Sequence, residues 1–141
     1  MNNIQYRFIK MDLTQFSPEW EQYNAENKTV GINTNFHFAF NKDAGIVKCE
    51  TVLTFVQENR IFLKTALQTF YEIKRESIDE MTKETEIVIP KLLLCQFASL
   101  AYGSYRGILY MKTVNTAISD LVLPPLYLEE VIKEDLKIKN V

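Results

Sequence analysis

The sequence predicts an α+β fold: a four-stranded antiparallel sheet with a long crossover after its first strand, followed by a long helix and a short C-terminal helix packed on one face. Two observations carry the prediction. The first half of the chain alternates apolar and polar residues with a period of two, and from Lys91 onward that alternation disappears. Strands followed by helices, rather than strands alternating with them, favour one sheet covered by helices. At 141 residues the chain is long enough for one domain with a real core and too short to suggest two, so residues 1–141 are read as a single domain.

The first strand is expected within NIQYRFIKMDLTQF. Its apolar phase runs through Ile4, Tyr6 and Phe8, then switches to Ile9, Met11 and Leu13, which predicts a β-bulge or a strand serving two partners. The connection SPEWEQYNAENKTV is long, and Ser17 with Pro18 is expected to cap a short helical turn carrying Trp20 and Tyr23. In GINTNFHFAF, Ile32, Thr34, Phe36, Phe38 and Phe40 share one face while Asn33, Asn35 and His37 share the other. After the turn-like NKDAG, Val47, Cys49, Thr51, Leu53 and Phe55 align in the same way, so a hairpin is expected. QENR supplies the next turn, and Ile61, Leu63, Leu67, Tyr71 and Ile73 define the fourth strand.

KRESIDEMTKETE reads as a polar linker. Beyond it Pro90 suits a helix first turn, and KLLLCQFASLAYGSYRGILYMKTVNTAI reads as one long helix. Ser99, Gly103 and Gly107 recur every four residues along it. Glycine costs roughly 1 kcal/mol in a helix interior relative to alanine, so this flat stripe implies close approach of another element, from within the chain or from a second subunit. In LVLPPLYLEEVI, Pro124 and Pro125 exclude helix interior and central strand, and an apolar extended loop must lie on something apolar. Leu126, Tyr127, Val131 and Ile132 then give a short helix, with Glu129 and Glu130 in its first turn where the helix dipole favours acids. The tail KEDLKIKNV is expected to be a solvated end.

Composition excludes several functions. A hydrophobic content of 47% with 24% charged residues is ordinary for a soluble protein, and a net charge of -2 gives no basic footprint for nucleic acid. No apolar run approaches the roughly 20 residues of a membrane span. MNNIQYRFIK has no apolar core of a signal peptide, so a cytoplasmic location is expected. Cys49 and Cys95 stand far apart without metal-ligand spacing, so two reduced, buried thiols are expected, with no metal and no cofactor. His37 is the only histidine and lies on a polar strand face without a partner nucleophile or carboxylate in the pattern. No catalytic residue is assigned, and the chain is not expected to be an enzyme. Trp20, Tyr23 and Tyr127, near a proline-stiffened leucine loop, point instead to a peptide-binding groove.

Two stretches carry a resemblance. NIQYRFIKMDLTQFSP is similar to the first strand of the bacterial preprotein chaperone family SecB, with Asp12, Leu13, Thr14 and Pro18 in register. YGSYRGILYMKTVNTAISDLVLPPLYLEEVI resembles that family's first main helix and its leucine-proline-aromatic loop. The resemblance implies a nucleotide-independent holdase that binds unfolded polypeptides and delivers them, in protein export, to the SecA translocation motor. It implies a homotetramer, a dimer of dimers, in which first strands pair and long helices pack between sheets, with Ser99, Gly103, Arg106 and Gly107 serving subunit packing. The client groove would be lined by Phe16, Trp20, Tyr23, Leu121, Leu123, Leu126, Tyr127 and Val131. Asp12 falls at an acidic SecA-docking position, whereas Phe16 and Thr65 stand at two others, and the net charge of -2 departs from a strongly acidic family. SecB-like chaperones also accompany toxin–antitoxin pairs and shield an aggregation-prone antitoxin, which is the alternative partner.

Overall fold

The computed structural model describes residues 3–119 and 121–139. Strands β1 (Tyr6–Pro18), β2 (Gly31–Asn41), β3 (Ile46–Gln57) and β4 (Arg60–Ile73) form an antiparallel sheet in the order β1-β4-β3-β2. Strands β2 to β4 are joined by tight turns, and the connection after β1 crosses to the far edge, as in a Greek key. The first turn closes with the Gly45 N–H donating to the Asn41 carbonyl at 2.8 Å, and Gly45 sits at φ 71°. The second carries positive φ at both Glu58 (52°) and Asn59 (63°), the twist a two-residue hairpin requires.

The phase switch in β1 is two bulges. Pairing to β4 shifts between Phe8 and Lys10 and again between Leu13 and Gln15. Ile9 and Met11 stand exposed, while Phe8, Leu13 and Phe16 are half-buried. A further shift between Phe55 and Val56 corrects the expectation for Ile61, which is exposed, while Phe62 next to it is fully buried. β1 also runs on through Pro18, so Ser17 and Pro18 lie in the strand and cap nothing; the helical turn at Trp20–Gln22 begins after Glu19.

The linker expected to be merely polar folds. Arg75–Glu80 is helix α1, with Ser77 and Ile78 buried. Thr82–Lys83 (β5) and Glu86–Ile89 (β6) then start a second, three-stranded sheet of order β5-β6-β7. Its last strand, β7 (Leu136–Lys139), is the tail expected to be solvated. Ile87 and Ile89 face Ile138 and Leu136 across the pair, and all four turn toward the core. The short apolar alternation of LKIK was too brief to stand out, and only β6 gives it a partner.

Helix α2 spans Lys91–Thr113, with Pro90 as its N-cap. It ends before the expected Ile118, because Val114 is extended and Asn115 turns left-handed at φ 65°. Helix α3 is a single turn, Leu128–Val131. α2 lies on one face of the four-stranded sheet over two apolar clusters. The first joins Val47, Cys49, Tyr71 and Ile73 to Leu93, Leu94, Phe97 and Ala101, with Ile87, Ile89 and Ile132 closing it. The second joins Leu53, Phe55, Phe62, Leu63 and Leu67 to Tyr102, Tyr105 and Leu109, with Ile118 and Leu123 closing it. No helix among the described residues is long and apolar enough to cross a membrane.

Candidate functional site

Helix α2 carries large apolar side chains on both sides. At about 100° per residue, Leu93, Phe97, Ala101 and Tyr105 fall on the sheet side. Two hydroxyls fix that side to the strands. Tyr105 donates to Thr65 Oγ1 at 2.7 Å, Thr65 donates to the Gln15 carbonyl at 2.9 Å, and Tyr71 Oη lies 2.7 Å from the Phe97 carbonyl. Burial pushes both phenols up in pKa and raises the Cys49 thiol to about 11, so these groups stay protonated at neutral pH.

The other side of α2 carries Leu92 (55% exposed), Leu100 (41%), Tyr110 (60%) and Met111 (70%) around the stripe Ser99, Gly103, Gly107. A methyl group added at Gly103 or Gly107 would meet no atom within 4 Å, so packing within the chain does not account for the glycines. Arg106 is exposed on the same side.

The proline loop answers the question of where its apolar surface goes. Leu121 to Tyr127 forms neither helix nor strand. Leu123 is 3% exposed inside the second cluster, and Leu121 and Leu126 are half-buried against it. Tyr102 donates its hydroxyl to the Pro124 carbonyl at 2.8 Å, which satisfies a backbone group that proline chemistry leaves outside any ladder. Phe16 and Tyr23 reach the same cluster, and Lys112 Nζ lies 5.7 Å from the Phe16 ring centroid. Trp20 stands 39% exposed on the crossover.

The residues expected to line one groove are therefore divided. Leu126 and Tyr127 face Leu92, Cys95, Gln96 and Ser99 across a cleft of about 490 Å³, with Glu129 and Glu130 at its rim. Tyr127 is 75% exposed there. Ser99, read as a packing residue, lines this cleft. Cys95 is only half-buried rather than buried, and desolvation followed by the nearby Glu129 raises its thiol pKa. Val131 belongs to a second cleft of about 400 Å³, between Phe36, Phe38 and Leu94 on one side and residues 132–136 on the other. Leu123 lines neither, since its side chain completes the core.

Three residues that shape the site gave no sequence signal. Gln57, read as turn, is buried, and its amide group takes the Asn24 N–H at 2.7 Å and donates to the Asn24 and Asn27 carbonyls at 2.9 and 2.7 Å. It clamps the crossover over separations of some thirty residues, beyond any periodic pattern. Asp135 Oδ1 accepts the Lys91 N–H at 2.8 Å and caps α2 from the tail. Tyr102 holds the proline loop.

The open face of the sheet is mixed. His37 stands opposite Glu50, Asp12 opposite Gln68, and Lys10 lies 5.4 Å from the Phe70 ring centroid. Thr65 turns the other way, into the core. Comparison with protein-family models, with curated proteins and with solved structures finds no match to the chain.

Proposed function

We propose that the chain is a SecB-like holdase that binds unfolded polypeptide without catalysis or cofactor. The observation that carries this reading is apolar surface outside the core: the two clefts flanked by Tyr127 and by Val131 are open to a client, and the outer side of α2 is left for a second subunit. Large apolar side chains left exposed together on one helix side, as Leu92, Leu100, Tyr110 and Met111 are, support a macromolecular use for that side. The strand order, with β1 crossing to the far edge before a meander, agrees with the arrangement the resemblance implies. Client segments would be held by burial of their side chains, at about 25 cal/mol per Å² of apolar surface. Clients would be held in two clefts, one lined by Leu126 and Tyr127 and the other by Val131, with Trp20 exposed on the crossover, while Phe16, Tyr23 and Leu121 support the walls from the second cluster. Ser99, Gly103, Arg106 and Gly107 would face a second subunit in a dimer of dimers, and several grooves on one assembly would hold a long client by avidity. We place this activity in the cytoplasm.

A dedicated antitoxin chaperone is the second reading. It is favoured by the sheet's open face, where Asp12 and Glu50 on either side of Gln68 are followed by Lys10 and Lys48 on either side of Phe70, and by the burial of Thr65 at another docking position. Such a face is ill-suited to an export motor that is met through acidic residues.

Light-scattering mass of the purified protein, alone and with a reduced, unfolded polypeptide, tests the proposal. A tetramer that forms a soluble complex with the unfolded chain is expected. A monomer or dimer that leaves the unfolded chain to aggregate overturns the general holdase and leaves the dedicated partner.

A further inference from the structure

We infer that the segment Lys133–Lys139 is a displaceable strap, and that an extended, apolar-alternating stretch of client replaces β7 on the edge of β6. This rests on the holdase reading and specifies how that site is opened. Three observations converge on the strap.

First, the segment already binds as an extended peptide would. Leu136 and Ile138 turn inward, Lys137 and Lys139 turn outward, and the backbone pairs with β6 from Glu86↔Lys139 to Ile89↔Leu136. Strand addition of this kind supplies affinity through the main chain and reads only alternate side chains, so many sequences fit.

Second, its attachment is slight. Leu136 and Ile138 are half-buried, and residues 133–135 are exposed. Apart from the β6 pairing, its one hydrogen bond to the described residues is from the Lys91 N–H to Asp135 Oδ1. Short pairings with few buried side chains belong to the units that open before the core does.

Third, it walls an apolar cleft. The space of about 400 Å³ lies between residues 131–136 and the side chains of Phe36, Phe38 and Leu94. Moving the strap away joins this space to Ile87 and Ile89, which are now buried, and frees the N–H and C=O groups of the β6 edge. The result is an apolar floor beside an open strand edge, which an extended client fills on both counts.

The test uses the full chain in a Cys95→Ser background carrying Val88→Cys and Lys137→Cys, positions that face each other across β6 and β7. Oxidation ties the strap down and reduction frees it. In the reduced protein, hydrogen exchange of the Leu136 and Ile138 amides, which point at β6, is expected to run at least a hundredfold faster than that of β3 and β4, and oxidation should remove the difference. Exchange as slow as in β3 and β4 overturns the strap whether or not any client binds. With reduced, carboxymethylated α-lactalbumin as the client, the oxidised form is expected to bind at least tenfold more weakly than the reduced form. Equal binding overturns the proposal. If the wild-type chain ignores the polypeptide, the holdase reading fails, and the exchange rates decide by themselves whether the strap opens.

Discussion

The two halves of the core are closed by different means. Over the first cluster, the N-terminal half of α2 is flanked by the small sheet, whose strands satisfy their own backbone groups while Ile87 and Ile89 fill the space. Over the second cluster, the C-terminal half is flanked by the crossover and the proline loop, which have almost no ladder. There the backbone is held by single side chains, Gln57 on the crossover and Tyr102 on the loop. Irregular chain cannot be buried without such partners, because an unpaired buried carbonyl or N–H costs about 1–3 kcal/mol. The second half is therefore more easily loosened by a single polar substitution, while the first should answer chiefly to lost volume.

The largest effect that sharpens this contrast is expected at Phe97, which stacks on Tyr71 with ring centroids 4.2 Å apart. Phe97→Ala should lower stability by about 3–5 kcal/mol, read from urea unfolding, because the rigid sheet and helix cannot collapse into the cavity. A loss below about 1 kcal/mol would mean the first half is as adaptable as the second.

Alkaline titration gives the next effect. The Cys49 thiol rises from 9.0 to about 11 on folding, with burial the largest cause. Its contribution is complete below pH 9, where both states hold the proton, and is lost between pH 9 and 11 as the unfolded state alone gives it up. Two pK units correspond to about 3 kcal/mol. Cys49→Ala should flatten this part of the stability curve; an unchanged slope would assign it to the buried tyrosines instead.

Gln57→Ala should cost about 1–2 kcal/mol by removing three hydrogen bonds to the backbone of Asn24 and Asn27. Its distinguishing readout is hydrogen exchange: residues 19–30 should exchange faster while β6 exchanges as it does in the wild-type chain. Uniform loosening of both halves would break the comparison.

The smallest effect is expected on the outer side of α2. Gly103→Ala with Gly107→Ala meets open space within the chain and should stabilise an isolated subunit by about 0.5–1 kcal/mol per site. If the stripe packs against a second subunit, the same pair should weaken self-association in sedimentation velocity despite the gain in helix stability. Gains in both would remove the stripe from any interface.

Much of this was legible in the sequence, for reasons particular to each element. β2 and β3 were readable because their inward residues, such as Val47, Cys49, Thr51, Leu53 and Phe55, alternate without interruption, and β4 because it alternates from Leu67 to Ile73. Pro124 and Pro125 marked a loop that had to lie on apolar surface, and it does. The bulges in β1 announced themselves as a phase switch. In contrast, Ile61 was misplaced because the extra residue that shifts its register leaves no mark in composition. The small sheet was invisible, since β6 and β7 are four residues each and lie some fifty residues apart.

Local chemistry thus determined the class of the fold, the four long strands and the existence of an apolar, proline-stiffened loop, because period, turn residues and φ restriction act between neighbours in the chain. Which leucine of that loop is core and which is surface, that the glycine stripe faces outward, and that the tail becomes a strand capping α2 were decided only by tertiary structure. These outcomes depend on partners brought together across long separations, as Gln57 is to Asn24 and Asp135 is to Lys91, and no local preference of either residue encodes the meeting.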